Sequence, residues 1–267
     1  MSLLLCRQEA VKRPYYVEAL DVHLYSSQEL CYVIYHHPLL VMEDFVDESL
    51  TGFIRNELNM EFLAEKLEKW AASGENPDEM LFAILSECAY YRPGEISQYR
   101  KQVAALRKKP AAEFQKERAD YLFGIGQYGR AAQLYRSLLE NPEYQGQGDA
   151  FTGAVWNNLG AAYSRLFQTA KAYDAFEKAY GCRKDGGLVK KMYMLSKLNP
   201  RLEDRLPALD EEKKRAWSKE FEKAEAEAAQ SRAVLKLEQM FGRGETGRNE
   251  EAARLVKKWK KEYRSMV

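Results

Sequence analysis

Hydrophobic positions along this chain recur mostly at intervals of three and four, the spacing that gathers them on one helix face. Ser26-Ser27-Gln28-Glu29 has the form of a capping box, opening a segment predicted to run through His36, where His37-Pro38 stops it. Asn59 is placed to cap a helix with Phe62, Leu63, Leu67 and Trp70 on one side. Ser73 to Pro77 ends that helix and starts the next, with Asn76 as cap, Pro77 in the first turn, and Asp78 and Glu79 at its positive end. Met80, Ile84, Leu85 and Cys88 follow at helical spacing; Pro93 opens a helix reaching Lys108, and Pro110 opens another. One stretch has a period of two: Leu20, Val22 and Leu24 alternate with Asp21 and His23. With no second strong strand to pair it, a packed extended connector is expected there rather than a sheet.

From about residue 110 the text changes to helical pairs rich in Ala, Tyr and Leu, with Gly at the turns. Residues 1–109 contain no detectable repeat and are expected to form an N-terminal helical region of diverged helix pairs. A charged region follows from 201 to 267. In it Trp217, Phe221, Ala224, Ala228, Ser231 and Leu235 make a narrow seam on one long helix, suited to a neighbouring helix or to self-association as a homodimer through 217–235. Gly242 to Gly247 breaks that helix as a hinge. A last helix carries Ala252, Leu255, Val256, Trp259, Tyr263 and Met266 on a face expected to dock, with Lys257, Lys258, Lys260, Lys261 and Arg264 around it.

Within 153–186, Trp156, Leu159, Gly160, Tyr163, Ala172, Phe176 and Ala179 stand at fixed offsets. Gly160 lets two helices approach closely, Ala172 and Ala179 do the same on the second helix, and Tyr163 and Phe176 fill the space between turns. This spacing resembles the 34-residue tetratricopeptide repeat (TPR). An earlier unit over 112–142 matches at Ala119, Gly126, Tyr128, Ala131 and Tyr135, with Pro142 closing it. A polar loop, 143–149, separates the two units. A partial third unit or cap covers 187–198. The leading region resembles that of uncharacterised bacterial TPR proteins. The resemblance implies an all-α, short right-handed solenoid of TPR-like repeats over 110–200, with non-repeat N-terminal helices and a long C-terminal helix.

It also implies a concave groove for a partner protein or peptide. The family's groove positions fall on Lys116, Asp120, Ala154, Asn157, Asn158, Ala161, Ser164 and Arg165. A subgroup clamps C-terminal carboxylates with Lys and Asn. Lys116 and Asn158 match that pattern, but Asp120 would repel a carboxylate, and Leu188 and Met192 occupy the two remaining basic positions. A clamp is therefore not expected.

Composition narrows the rest. The 267 residues hold 41 Lys and Arg against 40 Asp and Glu, so the formal net charge is +1. Residues 1–100 carry 17 acidic and 8 basic side chains, net −9, whereas 101–267 carry 23 and 33, net +10. No apolar run approaches the ~18 residues of a membrane span. Met1 to Cys6 is apolar but lacks a basic n-region, a long h-region and a cleavage site, so a cytoplasmic protein is expected. Cys6, Cys31, Cys88 and Cys182 are far apart and read as reduced thiols.

Motifs of chemistry do not cohere. Gly124–Gly129 and Gly242–Gly247 both spell G-x-G-x-x-G, but each follows a helix, whereas a dinucleotide fingerprint follows a strand. Cys31, His36 and His37 spread over different helix faces, so no metal is expected, and the histidines are read as meeting the helix-terminal carbonyls. His23 has no nucleophile beside it. Glu43-Asp44 and Asp47-Glu48 read as solvated helix starts. The expectation is a non-catalytic, cofactor-free adaptor that binds a partner protein of unknown identity. The alternative is association with nucleic acid or an anionic membrane through the basic last helix.

Overall fold

The computed structural model describes residues 11–144, 146–242 and 245–266, the side chains of 245–247 excepted. Cys6 and residues 243 and 244 of the Gly242–Gly247 motif lie outside the described residues. Among the described residues the chain is all-α apart from one small hairpin, and it divides into two compact units, residues 1–121 and 122–267.

Unit 1 opens with the hairpin β1 (Tyr15–Val17) and β2 (Val22–Leu24), antiparallel, with Tyr16 opposite His23. A sheet therefore stands where a lone connector was expected. Its partner strand, Tyr15-Tyr16-Val17, is too short to show a period. Asp21, at φ 52°, closes the turn. Then come α1 (Ser27–His36), α2 (Pro38–Val41), α3 (Glu48–Asn56), α4 (Glu61–Ser73), α5 (Asp78–Glu87), α6 (Pro93–Arg107) and α7 (Ala111–Gly124), within which the unit boundary falls. Ser26 caps α1 by accepting from the Glu29 amide at 3.2 Å, and Gly74 ends α4 with a left-handed φ of 68°. Asn59 is not a cap. It adopts φ 55°, and α4 begins two residues later. Leu63, Ala64 and Leu67 form the buried stripe of α4, which leaves Phe62 outside it and 74% exposed.

The core of unit 1 is aliphatic, built from Leu30, Ile34, Leu50, Ile54, Leu67, Leu81, Ile84 and Leu85 among others. Charged clamps fix its edges. Asp78, 3% exposed, accepts from Arg107 Nε at 3.0 Å and Nη2 at 2.8 Å, and the same guanidinium donates to the Met42 carbonyl. Glu43 is not solvated as expected: it pairs with Arg118 and accepts from Gln115 at 2.8 Å. Sequence alone could not show this, because both partners lie more than 70 residues away.

Unit 2 packs α8 (Tyr128–Glu140), α9 (Asp149–Arg165), α10 (Thr169–Cys182) and α11 (Gly186–Leu198) in succession. Small residues set the spacing. A Cβ at Gly160 would come within 2.6 Å of the Phe176 ring, and one at Gly153 within 3.1 Å of Cys182 Cβ. Ala162, Ala172, Ala175 and Ala179 are buried along the same seams. The turns before α8 and α10 share their closing hydrogen bonds. Gln127 N donates to Leu122 O and Gln168 N to Tyr163 O, both at 2.9 Å, and the preceding residues, Gly126 and Phe167, have φ of 86° and 58°.

Three further helices follow: α12 (Glu211–Ala229), α13 (Arg232–Phe241) and α14 (Glu245–Met266). The long seam expected over 217–235 is broken, because Ser231 caps a new helix by accepting from the Val234 amide at 3.5 Å. Trp217 and Phe221 are half-buried, with Trp217 5.6 Å from the Tyr193 ring, while Ala224, Ala228, Ser231 and Leu235 are exposed. The docking face expected on α14 is only partly covered. Ala252, Leu255 and Met266 are half-buried, whereas Val256, Trp259 and Tyr263 remain 42%, 46% and 42% exposed. The stripe is narrow and flanked by lysines on both sides, which holds much of it in water. No helix among the described residues is long and apolar enough to cross a membrane.

Candidate partner-binding face of unit 2

The anticipated groove residues of α9 lie together on one side of the helix. Ala154, Asn157, Asn158, Ala161 and Ser164 are half-buried and Arg165 is exposed. Asn157 Nδ2 donates to Asn158 Oδ1 at 3.0 Å, and Lys191 Nζ on α11 donates to Asn157 Oδ1 at 2.7 Å. Asn157 and Lys191 are 34 residues apart. A hydrogen bond therefore links α9 and α11 and makes a polar row of Asn158, Asn157 and Lys191. Ser164 spends its hydroxyl on the Gly160 carbonyl at 2.8 Å, and the Arg165 guanidinium lies 5.9 Å from the Tyr128 ring.

Lys191 escaped the sequence reading. The position was judged against a carboxylate clamp, whose basic sites fall on Leu188 and Met192, and both of those are buried. The usable signal was the 34-residue offset from Asn157. Lys116 and Asp120 belong to unit 1 and pair with each other at 2.6 Å, an i, i+4 ion pair that leaves Lys116 with its charge met.

The repeat-spaced residues divide into two sets. Leu159, Gly160, Ala172, Phe176 and Ala179 are buried. Trp156 and Tyr163 are half-buried and line a hollow of about 200 Å³, where Lys178 sits 4.3 Å from the Trp156 ring and Lys171 5.6 Å from Tyr163. Arg136, Glu140 and Asp174 complete its wall, so both charge signs are present and neither dominates.

The sites raised for chemistry are occupied by packing. Gly124 to Gly129 forms the α7–α8 turn. Cys31 is fully buried. The histidines do not meet helix carbonyls as anticipated: His36 stacks on Tyr32 at 4.2 Å, and His37 Nδ1 hydrogen-bonds the Tyr121 hydroxyl. Burial, and then the charge of His36, hold the His37 pKa below its usual value. His23 stacks on Tyr16 at 4.8 Å across the hairpin. Among the described residues, no three His, Cys, Asp or Glu side chains converge as metal ligands. Comparison with family models, curated proteins and solved structures finds no match to this chain.

Proposed function

We propose that this chain is a non-catalytic adaptor that binds a partner protein or peptide across the α9–α11 face of a short, TPR-like helical array in unit 2. The observation that carries the reading is the Lys191–Asn157–Asn158 row, in which Asn157 on α9 and Lys191 on α11 stand 34 residues apart. Amide and ammonium groups on an open face suit the backbone and carboxylates of a bound segment. The close approach at Gly160 and the duplicated turn geometry support the repeat reading. Affinity capture with the full chain, beside an Asn158→Ala/Lys191→Glu variant of matched melting temperature, tests it. A protein held by the wild type and lost by the variant is expected. Identical captures would reject the face.

A second reading has its own observation. Val256, Trp259 and Tyr263 are exposed on α14 and, with Lys260 and Arg264, line a shallow hollow. An aromatic stripe edged by cations suits an anionic membrane surface. Sedimentation with vesicles containing phosphatidylserine tests it: salt-sensitive binding lost in Lys257→Glu/Lys261→Glu supports it, and absence of binding at low salt removes it.

A further inference from the structure

The α9–α10 turn exposes Phe167 to 84%, more than any other large hydrophobic residue among the described ones. Its φ of 58° is left-handed, where a side chain crowds the following carbonyl. The matching α7–α8 turn puts Gly126 there, with the same hydrogen bonds. The turn thus demands a left-handed residue, and glycine meets that demand without strain. Phenylalanine neither eases the backbone nor packs inward. An exposed aromatic held on strained backbone is the pattern of a contact residue.

Phe167 does not stand alone. Two residues on, Thr169 Oγ1 accepts from Asn199 Nδ2 at 3.1 Å, which places the end of α11 beside the start of α10. Leu198, 65% exposed, stands at that end. On the other side the Arg165–Tyr128 contact joins the end of α9 to the start of α8, where Ile125 is 37% exposed. Successive helix ends thus share one edge of unit 2, each with an exposed apolar residue. At roughly 10 Å per helix, the row is long enough for an elongated segment and too long for a small molecule.

Charge selects the occupant. Arg165, Lys171 and Lys197 lie along this edge against the rings of Tyr128, Tyr163 and Tyr193, at 5.9, 5.6 and 5.2 Å. A ring leaves a cation's charge largely unneutralised. None of the three makes an ion pair among the described residues; Lys171 shares the Trp156–Tyr163 hollow with Asp174 and Glu140, and Glu203 and Asp204 are exposed in the 3-10 turn after Asn199, so Arg165 and Lys197 carry most of the open positive charge.

We propose that this edge docks an acidic, amphipathic segment of a partner protein, with Phe167 and Leu198 entering its apolar side and Arg165, Lys171 and Lys197 meeting its carboxylates. The contact uses helix ends rather than the α9–α11 face, so the two readings fail separately.

The test is fluorescence anisotropy on the full chain. The probe is a labelled synthetic helix of about 20 residues, long enough to cover the row, with Glu and Asp on one face and Leu and Phe on the other. A copy with Lys and Arg in place of the acids is the control. The acidic probe should bind and the basic one should not, and binding should weaken as salt rises from about 0.05 to 0.5 M. Phe167→Gly should weaken binding about tenfold, a loss of ~1.4 kcal/mol, with a melting temperature at or above that of the wild type. Lys197→Glu should also weaken it, and the uncharged change Asn158→Ala should leave it unchanged. Equal binding by wild type and Phe167→Gly would overturn the proposal. So would a lowered melting temperature in Phe167→Gly, which would make Phe167 a packing residue. Loss in Phe167→Gly of vesicle binding or self-association, without acidic-probe binding, would assign the edge to a membrane or a second copy and overturn it too.

Discussion

In unit 1 the buried positions are filled mainly by Leu, Ile, Val and Met, with Phe53, Phe82, Tyr99 and Phe114 among them, and charged residues close on partners from distant segments: Asp78 on Arg107, Glu43 on Arg118, Glu57 on the backbone amides of Lys12 and Arg13. In unit 2 the seams are lined by Gly and Ala, and Lys171, Lys178, Lys184 and Lys197 lie over aromatic rings. The difference concerns what is left over. An ion pair consumes both charges, whereas a cation on a ring keeps most of its field toward solvent. Unit 2 has ion pairs as well, Arg205 with Asp174 and Glu177 among them, but its Arg165, Lys171 and Lys197 make none among the described residues and keep their charge toward solvent.

The sharpest way to break this contrast is to remove a clamp. Arg107→Ala strands the buried Asp78 carboxylate and should cost unit 1 about 3 kcal/mol. Urea denaturation gives the loss, and hydrogen exchange should locate the opening in α5 and α6. A loss below ~1 kcal/mol would show that the clamp is ornamental. For unit 2 the counterpart is Gly160→Val. It forces atoms into the Phe176 ring and should cost about 2 kcal/mol by overpacking, measured in the same way. If it is tolerated, the seam is not set by small residues.

Smaller effects refine the picture. The Tyr99 hydroxyl is buried with no hydrogen-bond partner among the described residues, and burial and then the nearby Asp78 raise its pKa. Tyr99→Phe should stabilise unit 1 by roughly 1 kcal/mol, because it relieves an unmet polar group. The smallest effect concerns pH. The pKa of His37 is lowered in the fold, so below the ordinary value of 6.5 the unfolded chain binds the proton that the fold resists. The His37 contribution is present above pH 6.5 and is lost as pH falls through the window beneath it. Melting curves on either side of that value should show the drop, and His37→Gln should abolish it.

Much of the helical order was legible in the text. Ser26, Pro93 and Pro110 mark helix starts by local chemistry, and α1, α6 and α7 begin where those residues place them. The 34-residue offsets singled out Gly160 and Phe176, which meet in the structure. What failed depended on partners. Tyr15–Val17 is a strand only because Val22–Leu24 lies beside it. Phe62 fits the α4 pattern yet points outward, since periodicity gives a stripe's direction but not its width. The 217–235 seam kept its spacing across Gln230-Ser231, where the helix ends and is capped anew.

The candidate site divides in the same way. Asn157, Asn158 and Arg165 were named from offsets within the resemblance, and their spacing along α9 puts them on one side of that helix. Lys191 and Phe167 were not. The first became visible through a hydrogen bond between helices, the second through a backbone angle and an exposure. By itself the sequence determined many of the helix starts and the small residues Gly160, Ala172 and Ala179, since those follow from contacts within a few turns of chain. Only the tertiary structure decided which charges are neutralised, which aromatics stay in water and which lysine completes the polar row. Those depend on residues brought together from 30 to more than 70 positions away, and a local pattern holds no information about them.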